Sequence, residues 1–411
     1  MRVCIITVAG HGIGGMQDHT RALAQGLVDG GHDIDVVTTR HPYGVDREER
    51  NGARWHYVDA AQRHEWLPRR DPIWLPLSRE MFVRLHRECP FDVIHSESTS
   101  AIGLVRAGLH REVPLVAKFH GTATSISRAA FRRFRSGATR AKVREVKALL
   151  WLLGEWSQYG HWYRFRPCVW MVPSEQEFEA TRRSAFLRRD LGFVVPNGID
   201  TRVFAPRPQK RTRDELGLGD LPLFVCAGRL DPGKGTHHAI QALRLLTERD
   251  GPARLAVLGE GPERERLAEL ARQLGVASSV VFTGPQPHDV LARYLAAADA
   301  FVFPTELNEA APLAPVQALA CGTAVIASSV GSIPELLGLP DQNGLLVPPG
   351  HPEALAAAMQ RVLHDVNLRR TLRRGGLARV RSEYTLEQMV ERTVAVYEGA
   401  REHFARENST R

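Results

Sequence analysis

Residues 223–247 read LFVCAGRLDPGKGTHHAIQALRLLT, the clearest strand–loop–helix unit in the chain. The apolar run Leu223–Ala227 predicts a strand, residues 228–235 a loop rich in Gly and Pro, and the spacing over Thr236–Thr247 a helix. Repeated units of this kind are typical of a parallel α/β sheet. The pattern continues through the second half of the chain, with strands expected at Leu255–Leu258, Val280–Phe282, Ala300–Phe303 and Ala324–Ala327 and helices at Glu263–Leu274, His288–Ala297 and Pro312–Ala320.

The first half of the chain carries the same alternation. A strand at Val3–Val8, a glycine-rich loop and a helix at Gln17–Asp29 precede a second strand at Ile34–Thr39. Further strands are expected at Val93–His95, Leu115–Phe119, Trp170–Val172 and Phe193–Val195. We therefore predict two Rossmann-like α/β domains, residues 1–196 and 197–384, and a C-terminal helix in 385–411 that packs back on the first domain.

Length and composition agree with a two-domain globular protein. The chain has 411 residues, of which 24% are charged and 43% hydrophobic, which excludes a disordered or low-complexity protein. No apolar run is long enough for a transmembrane helix, and the one at Val3–Val8 is too short for a signal peptide. The five Cys lie far apart without a CxxC, which argues against a disulfide framework or a Cys-rich zinc site. We expect a cytoplasmic protein.

The formal net charge of +8 is concentrated in one segment. Residues 128–166 hold ten Arg and Lys against two Glu, so the remainder of the chain is close to neutral. Leu and aromatic residues accompany these charges, and such a basic aromatic insert, residues 122–170, suits an anionic membrane surface at the inner face of the membrane. Segment 64–87, with Trp66 and Trp74, is expected to add to this surface. The alternative is a pair of solvated basic helices with aromatic core residues. Nucleic acid is not expected as a partner, since no reader motif is present.

The loop after the first strand matches a dinucleotide fingerprint, Gly10-His11-Gly12-Ile13-Gly14-Gly15. Glycines in such a loop let backbone amides approach a pyrophosphate. The expected end of the second strand, Thr38-Thr39-Arg40, lacks the acid that binds NAD, so only NADP remains. The motif alone is not specific, and a loop that merely turns a strand into a helix is the alternative. An NADP-dependent oxidoreductase is thus one hypothesis, although it leaves the second half unexplained.

Two loops of the second half favour a diphosphate and a sugar as ligands. Arg229 and Lys234 flank a Pro-Gly turn just before a helix, where two cations can bind a diphosphate. Glu309 lies in the loop after Ala300–Phe303, and a carboxylate there can accept hydrogen bonds from sugar hydroxyls. The helix that begins near Pro312 offers its first amides to phosphate. Two solvated surface charges, and an acid placed by the helix dipole, are the structural alternatives.

A series of ordered motifs spans nearly the whole chain and is specific as a set. Its members are GGMQDH at 14–19, KFHG at 118–121, VPNGID at 195–200, GRL at 228–230 with KG at 234–235, LGEGP at 258–262, VFTG at 281–284, Glu309 through Gln317, and ACGT at 320–323. With these motifs the chain resembles the family 4 glycosyltransferases, the glycosyl transferases group 1. The resemblance implies the GT-B fold, two Rossmann-like domains facing each other across a cleft. It also implies transfer of a sugar from a UDP- or GDP-linked donor with retention of anomeric configuration.

The resemblance further implies roles for individual residues. Arg229 and Lys234 would hold the diphosphate and stabilise it as leaving group. Glu309 would bind hydroxyls of the donor sugar, and His120, at the expected carboxyl end of a strand, would lie by that sugar. The other donor-binding residues would be Gly14, Gly15, Ala311, Pro312, Leu313 and Gln317. For His120, and for His19, a purely structural role is the alternative. No metal and no cofactor are implied, because the nucleotide sugar is a co-substrate and the two cations replace a metal.

One residue departs from the family pattern of Glu, seven residues, Glu. The second position is Gln317, which keeps one carbonyl acceptor for the ribose but loses the charge. A catalytically silent sugar-nucleotide-binding protein is therefore an alternative to the transferase, as is a sugar-nucleotide epimerase on the same fold. The expected acceptor is a glycan, a lipid-linked sugar or a small molecule.

Overall fold

A computed structural model describes residues 1–8, 10, 14–60, 73–121, 169–184, 187–339 and 341–409 of the chain. The chain divides into two compact units. The first comprises Met1–Gly198 together with Leu386–Arg411, and the second Ile199–Thr385. The junction at 198–199 lies next to the boundary predicted at 196–197, and the C-terminal segment belongs to the first unit.

Strands and helices alternate through the first unit, as the sequence predicts. The strands are β1 (Arg2–Ile6), β2 (Asp33–Thr38), β3 (Arg47–Arg50), β4 (Ala53–Tyr57), β5 (Val93–Glu97), β6 (Leu115–Lys118), β7 (Val169–Val172) and β8 (Gly192–Val194). The helices are α1 (Gly15–Asp29), α2 (Trp74–Glu88), α3 (Ile102–Arg106), α4 (Glu175–Ser184) and, at the C-terminus, α13 (Leu386–Ser409). The sheet order is β3-β4-β2-β1-β5-β6-β7-β8, and every pair is parallel except β3–β4.

The antiparallel hairpin β3–β4 at the edge of this sheet is absent from the sequence predictions. Its register pairs Arg50 with Ala53 across the two-residue turn Asn51-Gly52. Both turn residues have positive φ, 52° and 77°, which Asn-Gly tolerates better than other dipeptides in such hairpins. The dipeptide was therefore a usable signal. The charged residues of β3 hid this signal, because a run such as Arg47-Glu48-Glu49-Arg50 does not resemble a buried strand.

The second unit contains a six-stranded parallel sheet. Its strands are β9 (Leu223–Ala227), β10 (Arg254–Leu258), β11 (Val280–Gly284), β12 (Ala300–Phe303), β13 (Ala324–Ser328) and β14 (Leu345–Val347), in the order β11-β10-β9-β12-β13-β14. Its helices are α5 (Gln209–Leu216), α6 (Thr236–Asp250), α7 (Arg264–Gln273), α8 (His288–Ala297), α9 (Leu313–Ala320), α10 (Ile333–Leu337), α11 (Pro352–His364) and α12 (Val366–Glu383). The predicted α/β class with two Rossmann-like sheets is confirmed.

Helix α13 completes the core of the first unit. Met389, Val396 and Tyr397 are buried among the side chains of that core. A glycine of α1 permits this packing, since a Cβ on Gly26 would lie 2.5 Å from Cγ2 of Val390. The C-terminal helix thus packs on the first unit, where the sequence placed it.

Most of the predicted membrane surface lies outside the described residues. The basic aromatic insert lies outside the described residues, apart from Val169 and Trp170 in β7. Trp74 corrects one part of that prediction, because it is a core residue whose Nε1 donates to the Ser100 carbonyl oxygen at 3.1 Å. Among the described residues, no helix combines the length and the apolar composition needed to cross a bilayer.

Candidate functional site

Lys234 and Glu309 meet at the carboxyl edge of the second sheet. Lys234 ends a short 3₁₀ turn between β9 and α6, and Glu309 lies in the loop between β12 and α9. The two strands are neighbours in the sheet, so their following loops converge. Lys234 Nζ lies 2.8 Å from Glu309 Oε1, and the side chains are 26% and 13% exposed. A cation and a carboxylate are therefore held together at a surface that a ligand can reach.

The backbone of the two loops is tied together beneath this pair. The Gly233 carbonyl oxygen accepts hydrogen bonds from the Glu306 amide at 2.8 Å and from Thr305 Oγ1 at 3.3 Å. Thr305 Oγ1 also lies 3.0 Å from Glu309 Oε1. Gly235 has φ +70°, and a Cβ there would overlap the Pro304 carbonyl oxygen. Only glycine allows so close an approach, which brings Lys234 to Glu309.

Arg229 stands on the same loop but is more exposed. Its guanidinium pairs with Asp231 at 3.1 Å, and its side chain is 60% exposed. The loop packs against the one after β10, because a Cβ on Gly259 would overlap the Gly228 carbonyl oxygen. The Leu230 amide also donates to the Glu260 carbonyl oxygen at 2.9 Å. The loop is thus supported from below, while the Arg229 head group remains accessible.

Helix α9 begins beside Glu309. Its first residue is Leu313, after Pro312 as N-cap, so the amides near Ala311–Leu313 belong to the loop and first turn of this helix. Gln317 lies one turn further along and is buried, with 6% exposure. The structure therefore places the donor-binding residues predicted in the second half in the loops after β9 and β12 and in the first turns of α9. Their contacts with a nucleotide sugar stay a prediction.

The glycine loop of the first unit begins α1. Gly14 is the N-cap of α1 in an extended conformation, and its carbonyl oxygen accepts from the Asp18 amide at 2.9 Å. A Cβ on Gly15 would meet no other atom within 4 Å. Residues 11–13 lie outside the described part of the chain. Arg40, on which the NADP hypothesis depends, forms an ion pair with Asp59.

His120 lies directly beyond the end of β6 and contacts a buried carboxylate. Its Nε2 is hydrogen-bonded to Glu97 Oε2, at the end of β5. Oε1 of the same carboxylate lies 3.5 Å from His19 Nε2 and 3.4 Å from His95 Nε2. We call the group formed by Glu97, His19, His95, Lys118, His120 and Tyr397 the Glu97 cluster.

The strand register explains why these residues meet. Strands β5 and β6 are parallel and pair Glu97 with Lys118, so both side chains lie on one face of the sheet. His95, two residues before Glu97, shares that face because side chains alternate along a strand. Sequence reasoning missed Glu97, Lys118 and His95 as members of a site. The signal was present, because His95 and Glu97 are polar residues spaced by two, the first in the expected strand Val93–His95 and the second directly after it.

The charges of the cluster shift the ionisation of its members. The neighbouring histidines hold the pKa of the Glu97 carboxyl well below its usual value, although burial alone would raise it. Burial lowers the pKa of His19 and lowers that of Lys118 to about 8. Burial also raises the pKa of Tyr397. Glu97 is therefore an ionised carboxylate inside the protein, and Tyr397 is a protonated phenol.

Two groups of described residues have ligand atoms close enough for a metal ion. One is His19, Glu97 and His120; the other is His237, His238 and Glu306, and each group's atoms lie within 4.8 Å of one another. In the second group His238 Nε2 is 3.1 Å from Glu306 Oε1. Each group contains one hydrogen-bonded pair of imidazole and carboxylate, His120–Glu97 and His238–Glu306, whereas both ring nitrogens of His19 are buried without a hydrogen-bond partner among the described residues. The expectation that the reaction needs no metal is untested by this geometry.

His120 belongs to the first unit, whereas Arg229, Lys234 and Glu309 belong to the second.

Comparison with known proteins covers both units. The family model for glycosyltransferase family 4 matches residues 13–203, and that for glycosyl transferases group 1 matches residues 208–379.

Individual proteins agree with the family models. An uncharacterized glycosyltransferase of Methanocaldococcus jannaschii is 27% identical over 409 residues, which is 96% of either chain. A GDP-mannose-dependent alpha-(1-6)-phosphatidylinositol monomannoside mannosyltransferase of Mycolicibacterium smegmatis is 37% identical over 179 residues, 42% of this chain and 47% of the relative. Among solved structures, sucrose-phosphate synthase from Thermosynechococcus elongatus superposes with a TM-score of 0.77 at 26% identity, covering 97% of this chain and 98% of that one.

These similarities leave the oxidoreductase hypothesis without support, because they account for both halves of the chain. They agree with the ordered motifs, the two parallel sheets and the position of the loops at the strand ends. The chain therefore belongs to the family 4 glycosyltransferases, and its two α/β units form the GT-B fold.

Proposed function

We propose that this glycosyltransferase is a retaining enzyme that uses a nucleotide diphosphate sugar, UDP- or GDP-linked. It would transfer the sugar to a hydroxyl of a glycan, a glycolipid or a small molecule. The observation that carries the proposal is the pairing of Lys234 Nζ with Glu309 Oε1 at 2.8 Å, at the carboxyl ends of neighbouring strands. The named donor of the Mycolicibacterium relative, GDP-mannose, favours a GDP-linked sugar.

The proposed roles follow from the chemistry of the two side chains. The ammonium group of Lys234 and the guanidinium of Arg229 attract the diphosphate and stabilise the negative charge that develops as the glycosidic bond breaks. The Glu309 carboxylate can only accept hydrogen bonds while ionised, and sugar hydroxyls donate them. Donor binding would therefore exchange the Lys234–Glu309 pair for contacts with the phosphates and with the sugar. Because two cations supply the positive charge, we propose that turnover needs no metal.

The test compares site variants with a matched surface variant. Lys234→Ala, Arg229→Ala and Glu309→Gln should each lower transfer by about 100- to 1000-fold, as the loss of a preorganised transition-state contact does. Lys210→Ala removes an exposed lysine of the same unit, on α5, and should leave transfer unchanged. Transfer is measured with UDP- and GDP-sugars in EDTA, and NMR of the product reports the anomeric configuration. Full activity in the three site variants would refute the assignment.

Nucleotide binding separates the transferase from a silent binding protein. A nucleoside diphosphate at about 100 times its dissociation constant adds about 2.7 kcal/mol to the free energy of unfolding, which a thermal shift detects. UDP, GDP, ADP, dTDP and NADPH are compared. A shift without transfer or donor hydrolysis would favour the silent protein, for which Gln317 is the motivating residue. Conversion of the donor sugar in the absence of acceptor would indicate an epimerase.

The acceptor and the cellular location stay proposals as well. We propose a cytoplasmic enzyme that binds peripherally to an anionic membrane through residues 128–166, on the strength of their charge alone.

A further inference from the structure

The Glu97 cluster is an unusual concentration of titratable groups inside one unit. Glu97, His19, His95 and Lys118 are all fully or almost fully buried, whereas His120 retains 13% of its side-chain exposure. Burying an ionised group costs free energy unless its partners are well placed. Replacing buried ionic groups by well-packed apolar side chains is often neutral or stabilising, so the stability of the core does not require these residues. The cluster reaches the surface through His120.

We propose that Glu97 is the positioning residue of His120: its carboxylate fixes the ring by accepting a hydrogen bond from Nε2, which leaves Nδ1 as the nitrogen available to substrate. This proposal rests on the proposed function only for the identity of that substrate, the donor sugar. The positioning itself is a property of the first unit alone.

The tautomer of the neutral ring follows from the chemistry of its partner. An ionised carboxylate has only acceptors, so Nε2 must carry the hydrogen in the His120–Glu97 bond. In the neutral imidazole the other nitrogen, Nδ1, is then a bare acceptor. The neutral His120 ring would therefore accept a hydrogen bond from a sugar hydroxyl at Nδ1, rather than present a mixture of two tautomers.

The carboxylate is itself held in place by the rest of the cluster. Thr20 Oγ1 lies 3.3 Å from Glu97 Oε1 and 3.0 Å from the Met16 carbonyl oxygen, and His95 Nε2 lies 3.4 Å from the same carboxylate oxygen. Tyr397 Oη is hydrogen-bonded to His95 Nδ1 at 2.8 Å, and it is the donor in the tautomer that carries the hydrogen on Nε2, the nitrogen that faces the carboxylate. The support thus extends from α13 through His95 to Glu97.

Charged and titratable groups face Glu97 from every side. On α1 is His19, whose ring centroid is 4.7 Å from that of His120. On β6 is Lys118, whose Nζ donates to the Val195 carbonyl oxygen at 3.2 Å. Helix α13 contributes Tyr397. Because interactions with the neighbouring histidines hold the pKa of the Glu97 carboxyl well below its usual value, the carboxylate keeps its capacity to accept from His120 at neutral pH.

The first experiment detects the hydrogen on His120 Nε2 by NMR and does not depend on catalysis. Protein labelled with ¹⁵N-histidine is prepared as wild type and as Glu97→Gln, and the His120 signals are assigned with His120→Gln. We expect a slowly exchanging Nε2–H correlation in the wild type that is lost in Glu97→Gln, because a neutral amide is a weaker acceptor and can also donate. An unchanged correlation would overturn the proposal.

A matched control uses another buried carboxylate of the same unit. Asp35 on β2 is 1% exposed and lies 2.7 Å from His56 Nε2, so Asp35→Asn makes the same chemical change at a comparable His–carboxylate pair. It should leave the His120 correlation intact. Loss of that correlation in Asp35→Asn as well would show that any buried carboxylate change disturbs the unit, and would overturn a specific role for Glu97.

The second experiment measures transfer and links the two residues. Glu97→Gln should lower kcat by about 100-fold, the loss that a misplacement of about 1 Å produces, with little change in KM for the donor. In a His120→Ala background the same substitution should have no further effect. If Glu97→Gln lowered kcat by the same factor in the His120→Ala background as in the wild type, the two residues would act independently and the proposal would be contradicted. If the wild type transfers no sugar, the proposed function fails, while the ring correlation still decides whether Glu97 positions His120.

Discussion

Lys118 is a fully buried lysine whose charge state depends on its surroundings. It lies opposite Glu97 in the register of β5 and β6, and its Nζ donates to the Val195 carbonyl oxygen. Burial lowers its pKa from 10.5 to about 8, because water no longer solvates the ammonium, although Glu97 acts in the opposite direction. The native protein therefore binds the Lys118 proton less tightly than the unfolded chain does.

This difference predicts how stability changes with pH. Between about pH 8 and 10.5 the unfolded chain holds a proton that native Lys118 has lost, so the Lys118 contribution to stability rises with pH across this window. The penalty present below pH 8 amounts to roughly 3 kcal/mol at 1.36 kcal/mol for each pKa unit. Urea denaturation from pH 7 to 10.5 should show the wild type gaining stability relative to Lys118→Met. A pH-independent difference between the two proteins would refute the assignment.

At the scale of elements, the turn from β9 into α6 depends on one glycine. Gly235 has φ +70° and lies against the Pro304 carbonyl oxygen, so an added methyl group both strains the backbone and overlaps the β12 loop. Gly217, at the end of α5, has φ +65° but would meet no other atom within 4 Å. Alanine at Gly217 would therefore introduce backbone strain alone, whereas alanine at Gly235 would add a steric overlap to that strain.

Alanine at each position should therefore have different effects. Gly217→Ala should lower the free energy of unfolding by about 1–2 kcal/mol, the cost of a left-handed conformation for a residue with a Cβ. Gly235→Ala should lower the free energy of unfolding by a further amount of about 1–3 kcal/mol, because the added methyl group overpacks the site. It should also weaken nucleotide diphosphate binding, because Lys234 is displaced. Urea denaturation and thermal shift measure the two effects. Equal destabilisation by both substitutions would show that the contact with Pro304 is unimportant.

At the scale of the whole molecule, the C-terminal helix joins two distant parts of the sequence. Helix α13 buries Met389, Val396 and Tyr397 in the core of the first unit, and Tyr397 is part of the Glu97 cluster. A chain that ends at Thr385 would lose this packing. The cluster would lose the hydroxyl that orients His95.

Truncation at Thr385 should consequently affect one unit and spare the other. Hydrogen exchange should accelerate at the amides of β5 and β6, because the apolar surface that α13 covers becomes exposed to water. Amides of β9 and β12, in the second unit, serve as the internal control and should keep their protection. Unchanged protection in β5 and β6 would show that α13 contributes nothing to the stability of the first unit.

Local sequence patterns predicted much of the fold. Apolar runs and helical spacing located β9, α8 and β12 correctly, because strands buried on both faces of a parallel sheet are continuously apolar. The edge strand β3 was missed for the converse reason, since its residues are charged and half exposed. The ordered motifs predicted Arg229, Lys234 and Glu309 as ligand-binding residues, and the structure places all three in loops that follow strands β9 and β12, at the sheet edge where such sheets bind ligands.

The sequence by itself determined the α/β class and the family, and it predicted the residues that would bind a diphosphate and a sugar. The tertiary structure alone decided that Lys234 pairs with Glu309 and that Glu97 lies between three histidines and a lysine. These contacts depend on which strands are neighbours and in what register. Register arises from the packing of the whole sheet, so residues as far apart as His95 and Tyr397 meet only once the sheet and α13 have assembled.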